Sequence, residues 1–223
     1  MKKMILTLFA AFSLMFSNAM AADLSVGISA QVMNLETSGT ETEGGESNSK
    51  SIEHTIPIGS VFAEVTQGRL TVGLDWIPYD MDVSDKTHKR TDTETSVTGT
   101  DAQVSTSRTQ TAQAEVTNHA TLYAELMLGD SPFYAKAGYV SVSLDTLESL
   151  GTGSKYGNVD INGTLIGVGV KNEMGNGHMK MELTHTNYDN VSLTSTVART
   201  GVSTNNKVTA DLDATALKIS YAF

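Results

Sequence analysis

Phe133-Tyr134-Ala135-Lys136-Ala137-Gly138-Tyr139 alternates with a period of two. Phe133, Ala135, Ala137 and Tyr139 fall on one face; Tyr134, Lys136 and Gly138 fall on the other. This is the pattern of a strand whose two faces meet different surroundings. The same alternation recurs along the chain. Leu24, Val26, Ile28, Ala30 and Val32 oppose Ser25, Gly27, Ser29 and Gln31. Leu70, Val72, Leu74 and Trp76 oppose Thr71, Gly73 and Asp75. Leu217, Ile219, Tyr221 and Phe223 oppose Lys218, Ser220 and Ala222. Helical periodicity is poor throughout.

Eight strands follow from this pattern, at 23–35, 57–66, 69–79, 114–128, 133–145, 159–172, 178–188 and 208–223. Their connections alternate in length. Thr66-Gln67-Gly68-Arg69, Gly129-Asp130-Ser131-Pro132 and Glu173-Met174-Gly175-Asn176-Gly177 are tight-turn sequences. The connections at 36–56, 80–113, 146–158 and 189–207 are long and rich in Ser, Thr, Gly, Asn and Asp. Long structureless loops are uncommon in a compact soluble domain. Short turns at one end and long loops at the other fit a membrane barrel. The expected fold is all-β: an eight-stranded antiparallel up-and-down transmembrane β-barrel with short periplasmic turns and long extracellular loops.

The amino terminus supports export. Residues 1–21 have Lys2 and Lys3 before an apolar core and end in Ala19-Met20-Ala21. They read as a cleaved secretory signal peptide, followed by a barrel domain over 22–223. The 223-residue chain has a net charge of −10; loss of Lys2 and Lys3 leaves 13 basic against 25 acidic residues, or −12. That balance argues against nucleic acid. The absence of cysteine removes disulfides, Cys-ligated metals and thiol nucleophiles. A hydrophobic fraction of 39% excludes helical membrane spans and leaves barrel strands open, since these need apolar residues only at alternate positions.

If the apolar face meets lipid, the polar face fills the lumen. That face carries Glu64, Asp75, Glu125 and Glu182 with Lys136, Lys171, Lys180 and Lys218. Buried charges need partners, so a balanced interior network is expected. Gly27, Gly73, Gly138, Gly167 and Gly169 share this face and would give long side chains room. On the apolar face, Phe133, Tyr221 and Phe223 fall near the short-turn end. Trp76 and Tyr139 fall further up, so two aromatic girdles are expected.

With these features the sequence resembles the small bacterial outer-membrane β-barrels: the OmpA transmembrane domain, OmpX and the opacity-type surface proteins. The resemblance is sharpest at 133–139 and at Leu217-Lys218-Ile219-Ser220-Tyr221-Ala222-Phe223. The latter is similar to the terminal signal read by the barrel-assembly machinery, although Lys218 and Ala216 depart from its usual glycine and polar residue. The resemblance implies a bare barrel in the cell outer membrane, among lipid and lipopolysaccharide, with loops free to meet an extracellular ligand. It implies a structural or surface-interaction role and no cofactor. A narrow porin-like channel for small solutes or ions stays open as the alternative.

Enzymatic readings find little support. The sequence has no HExxH, GxSxG or P-loop motif. None of His54, His88, His119, His178 and His185 stands at metal-ligand spacing to another. Some outer-membrane lipid hydrolases and acylases place a His and a Ser at the barrel rim, which leaves His185 as a less favoured lipid-modifying candidate. Asp80, Asp82 and Asp85 could offer oxygens to Ca²⁺ or Mg²⁺ but lack the glycine and distal glutamate of a calcium loop. The Asp80 cluster is expected to be an acidic solvated loop; Glu36, Glu41, Glu43, Glu46 and Glu53 against Lys50 make the first loop acidic too, and divalent ions could bridge such loops to lipopolysaccharide without specificity. Gly151-Thr152-Gly153 is expected to be a loop tip.

Overall fold

The computed structural model describes residues 22–43, 45–83, 88–97, 103–149, 155–198 and 204–223. The expected signal peptide at 1–21, Asp85 and Gly151–Gly153 lie outside the described residues. The described residues form twelve strands: β1 Asp23–Glu43, β2 Glu46–Gln67, β3 Leu70–Trp76, β4 Met81–Asp82, β5 His88–Val97, β6 Gln103–Ala112, β7 Ala114–Met127, β8 Phe133–Thr146, β9 Val159–Met174, β10 Gly177–Tyr188, β11 Val191–Ala198 and β12 Asn205–Ala222. No helix occurs among the described residues.

Eight of the strands close into an antiparallel ring, in the order β1-β2-β3-β7-β8-β9-β10-β12, with β12 pairing back onto β1. Every neighbour in the ring is also the next ring strand in sequence, so the topology is up-and-down. From Leu24 the register runs through Val65, Val72, Ala124, Ala137, Ile166, His185 and Thr215, and returns to β1 at Asn34. The circuit climbs ten residues, from 24 to 34. At ~3.3 Å per residue and ~4.8 Å between strands, that stagger tilts the strands by about 40°.

The turns at one end are short because their glycines permit it. Gly68, Gly129 and Gly175 all take positive φ, between 60° and 69°. At the other end the connections are long, as expected, and much of their length is paired strand. β1 and β2 continue to Glu43 and Glu46, so residues 36–56 are mostly paired strand. β5 and β6 form a separate hairpin within 80–113, and β11 pairs with the upper part of β12 within 189–207. Ring strands of up to 22 residues greatly exceed the ~10 needed to cross a membrane. The Ser/Thr-rich composition read as loop is here a sheet surface. Hydroxyls meet across the β1–β2 hairpin at Ser38–Ser51 (2.9 Å) and Thr40–Ser49 (2.8 Å), pairings that support extended structure. The connection at 146–158 holds only an isolated bridge, Thr111–Ser149, among its described residues.

β7 carries one irregularity. Its register shifts between Thr117 and Ala120, where Asn118 takes φ 52°. Below this point β7 pairs with β3, and above it with the short β4.

Candidate functional site

The strand faces change character partway along. On β1, Leu24, Val26, Ile28 and Val32 are exposed, while Gly27 and Ser29 are buried. Above Val32 the polarity reverses: Met33 and Leu35 are buried, and Glu36 and Ser38 face outward. β12 does the same. Leu217 and Ile219 are exposed and Lys218 is buried, whereas further up Leu212 and Ala214 are buried and Thr215 and Asp211 face outward. On β8, inward Lys136 gives way to inward Val140, Val142 and Leu144.

The lower half is therefore apolar outside and charged inside. Glu64, Glu182 and Lys180 are each no more than 2% exposed. Lys180 Nζ donates to Glu64 Oε2 (2.6 Å) and Glu125 Oε1 (3.0 Å). Lys136 Nζ reaches Glu125 Oε1 (3.1 Å) and donates to Glu182 Oε1 (2.7 Å). Water could not supply such partners to charges facing hydrocarbon, so the apolar belt must be the lipid surface and the charges the lumen. The chain is an eight-stranded transmembrane β-barrel.

Other contacts extend the barrel's inner network. Lys218 Nζ donates to Asp75 Oδ2, which also accepts from Ser60 Oγ (2.9 Å). Tyr123 OH donates to Glu64 Oε2 (2.9 Å) and Tyr134 OH to Glu182 Oε1 (2.8 Å). Lys136 Nζ lies 3.8 Å from the centroid of the Tyr123 ring, a cation–π contact. Each inward ring sits opposite a glycine: Tyr123 faces Gly73, Tyr134 faces Gly169 and Phe62 faces Gly27. A Cβ at any of the three would run into the ring.

The structure brings together seven of the eight charges expected in the lumen and leaves out Lys171. That residue is partly exposed near the β7–β8 turn, its amide bonded to Pro132 O, and it takes part in none of the network's ion pairs. The fourth basic partner is His178, buried, with Nε2 2.8 Å from Glu64 Oε1. Sequence reasoning missed it. The signal was its parity with Lys180 and Glu182, two and four residues on.

Of the aromatics expected in girdles, Trp76 and Tyr139 lie on the outer face toward one edge of the belt and Phe133 and Phe223 toward the other, all four exposed. Tyr221 stacks edge-on against Phe223 at 5.0 Å between centroids.

Above the network the barrel interior is largely apolar, with Thr186 and His119, paired to Tyr188 OH at 3.3 Å, among its few buried polar groups. Met33, Leu35, Ile58, Val142, Ile161 and Leu212 belong to one buried cluster that fills the lumen. Sequence reasoning also missed this plug. Its signal was the change of phase in the alternation, as in Val32-Met33-Asn34-Leu35, where two apolar residues adjoin and the apolar positions move from even to odd numbers.

His185 points outward. Its Nδ1 is 3.1 Å from Thr215 Oγ1, and its Nε2 stands 3.9 Å from Asp213 Oδ1, beyond hydrogen-bond reach. That oxygen already accepts from Asn187 Nδ2. Asp80 and Asp82 are exposed, and Asp82 accepts from Gln113 Nε2 (2.9 Å). No group of three His, Cys, Asp or Glu suited to a metal occurs among the described residues. In the acidic first connection, Glu43 is buried and Glu41 half-buried.

No protein-family model matches the sequence, and no curated protein is similar to it in sequence. Among solved structures the chain is similar to Ail, the attachment invasion locus protein of Yersinia pestis, at TM-score 0.35 and 8% identity over 88% of this chain and 99% of that one. It is similar to the outer membrane protease OmpT of Escherichia coli at TM-score 0.42 and 11% identity, over 90% and 96% of the two chains. It is also similar to Neisserial surface protein A at TM-score 0.31 and 11% identity, over 85% and 95%.

Proposed function

We propose that this protein is a plugged barrel with a structural or surface-interaction role, presenting polar strand extensions outside the cell. The carrying observation is a lumen filled twice over. A layer of paired charges lies below, and a buried apolar cluster lies above. An eight-stranded barrel is just wide enough for side chains to fill, and a largely apolar layer opposes the passage of ions. In this reading, lipid and lipopolysaccharide surround the belt, Trp76 and Tyr139 mark its outer edge, and Phe133, Tyr221 and Phe223 its periplasmic edge. Cleavage after Ala21 releases the mature chain, and the strand ending at Phe223 is handed to the barrel-assembly machinery.

Planar-bilayer recording tests the plug. The purified protein is expected to give no discrete openings; stable steps on the nanosiemens scale would favour the porin reading instead. Mass spectrometry of membrane-extracted protein tests processing, with Ala22 expected as the first residue.

A further inference from the structure

Above the apolar cluster lies a cavity of about 650 Å³, within the size range of small-molecule sites. It is bounded by β1, β2, β8, β11 and β12, and by the β5–β6 hairpin through Lys89, Gln110 and Thr111. Leu144, Val191, Leu193, Val208 and Leu212 give it an aliphatic side, and polar residues such as Thr37, Asn48, Gln110 and Gln113 line the rest. Leu212 also belongs to the buried cluster beneath, so the cavity has a closed, apolar floor.

Two half-buried carboxylates belong to this lining, those of Glu41 and Glu148. Their conditions differ. Glu41 Oε1 accepts from Tyr156 OH at 3.0 Å. Burial, with the Glu41 carboxylate beside it, pushes the Tyr156 phenol above its ordinary range, so it remains a donor. Glu148 Oε1 accepts from the Tyr156 amide at 2.6 Å, but Glu148 Oε2 is buried without a hydrogen-bond partner. A buried acceptor left unmatched is costly, and a carboxylate more so than a neutral group. The cationic side chains on the lining, Lys50 and Lys89, are both exposed. The enclosed part of the cavity thus combines an aliphatic side with one unmatched anionic oxygen.

We infer that this cavity is a binding site for a small amphipathic cation, an apolar body bearing a protonated amine that donates to Glu148 Oε2. The aliphatic wall would take up the body, and the charge-assisted hydrogen bond would fix its orientation.

The test uses the full-length barrel in lipid nanodiscs, with 1-naphthylmethylamine as the probe. Neutral 1-naphthalenemethanol and anionic 1-naphthylacetate are the comparisons. Binding of the amine should be saturable, with one site per barrel, and tighter than that of either comparison. Glu148→Gln should weaken the amine about tenfold and leave the alcohol within about twofold. Leu193→Trp, which fills the cavity from its wall, should remove both, with heat-modifiable gel mobility showing that the variant folds. Uptake that does not saturate, or that persists in Leu193→Trp, would mean partitioning into lipid and overturn the site. Equal affinity for amine and acetate, or no effect of Glu148→Gln on the amine, would overturn the ligand class.

Discussion

The ring of Tyr123 occupies the space that a side chain at Gly73 would need, and its hydroxyl donates to Glu64 Oε2 at 2.9 Å. The two residues face each other on β7 and β3. One lacks a Cβ so that the other can cross the lumen. Gly73→Ala should therefore destabilise the barrel by about 1–3 kcal/mol through overpacking. Tyr123→Phe keeps the ring and removes one donor, so it should cost about 1–2 kcal/mol. Urea titration of the barrel in liposomes checks both, and a Gly73→Ala variant as stable as the parent would contradict the packing described.

Lys180 joins Glu64 to Glu125 and is 2% exposed. Lys180→Met alone leaves two buried carboxylates short of a cation and should cost about 3–5 kcal/mol. Combining it with Glu64→Gln should cost less than the sum of the two single changes. A double-mutant cycle by the same titration measures that coupling, and strict additivity would show that the pair does not interact.

The reversal of face polarity gives a prediction within one strand. Leu217 and Asp211 both point outward from β12, the first within the apolar belt and the second above it. Leu217→Arg should cost about 2–4 kcal/mol if it lies near the bilayer midplane, and Asp211→Arg about 0–1 kcal/mol. Equal costs in lipid-reconstituted unfolding would place the belt wrongly.

The upper interior should behave as the core of a water-soluble protein. Leu35 is 5% exposed in the apolar cluster, so Leu35→Ala should cost about 2–5 kcal/mol. The β1–β2 extension should then be cut faster by protease added outside intact cells.

The ring, its strand order and the facing of residues such as Val168 and Gly167 were legible in the sequence, because alternation with period two is a direct imprint of two unlike surroundings. The upper strands were less so. Residues 36–43 are polar apart from Gly39 and carry no apolar alternation, and their Ser and Thr content resembles that of loops. Only pairing with a neighbour distinguishes them. The network's members could be named from parity, but not their partners. Lys171 lies directly across from Lys180 on the neighbouring strand, yet it is Lys180 and His178 that reach Glu64, a choice that alternation does not encode. The unmatched oxygen of Glu148 had no signal at all, since the burial of one carboxylate oxygen is set by packing and leaves no local pattern.

The exchange of faces at Val32–Met33 on β1, and between Leu217 and Ala216 on β12, has a mechanical consequence. A barrel apolar outside along its whole length could ride up or down in the bilayer at little cost. Here, sinking by two residues, ~5 Å along the tilted axis, would draw Asn34 and Thr215 into hydrocarbon, with Glu36 and Asp213 close behind. Rising by as much would bring Val32 and Leu217 into water. The molecule is thus ballasted to one waterline, which holds the cavity and the hairpins around it at a fixed height above the membrane.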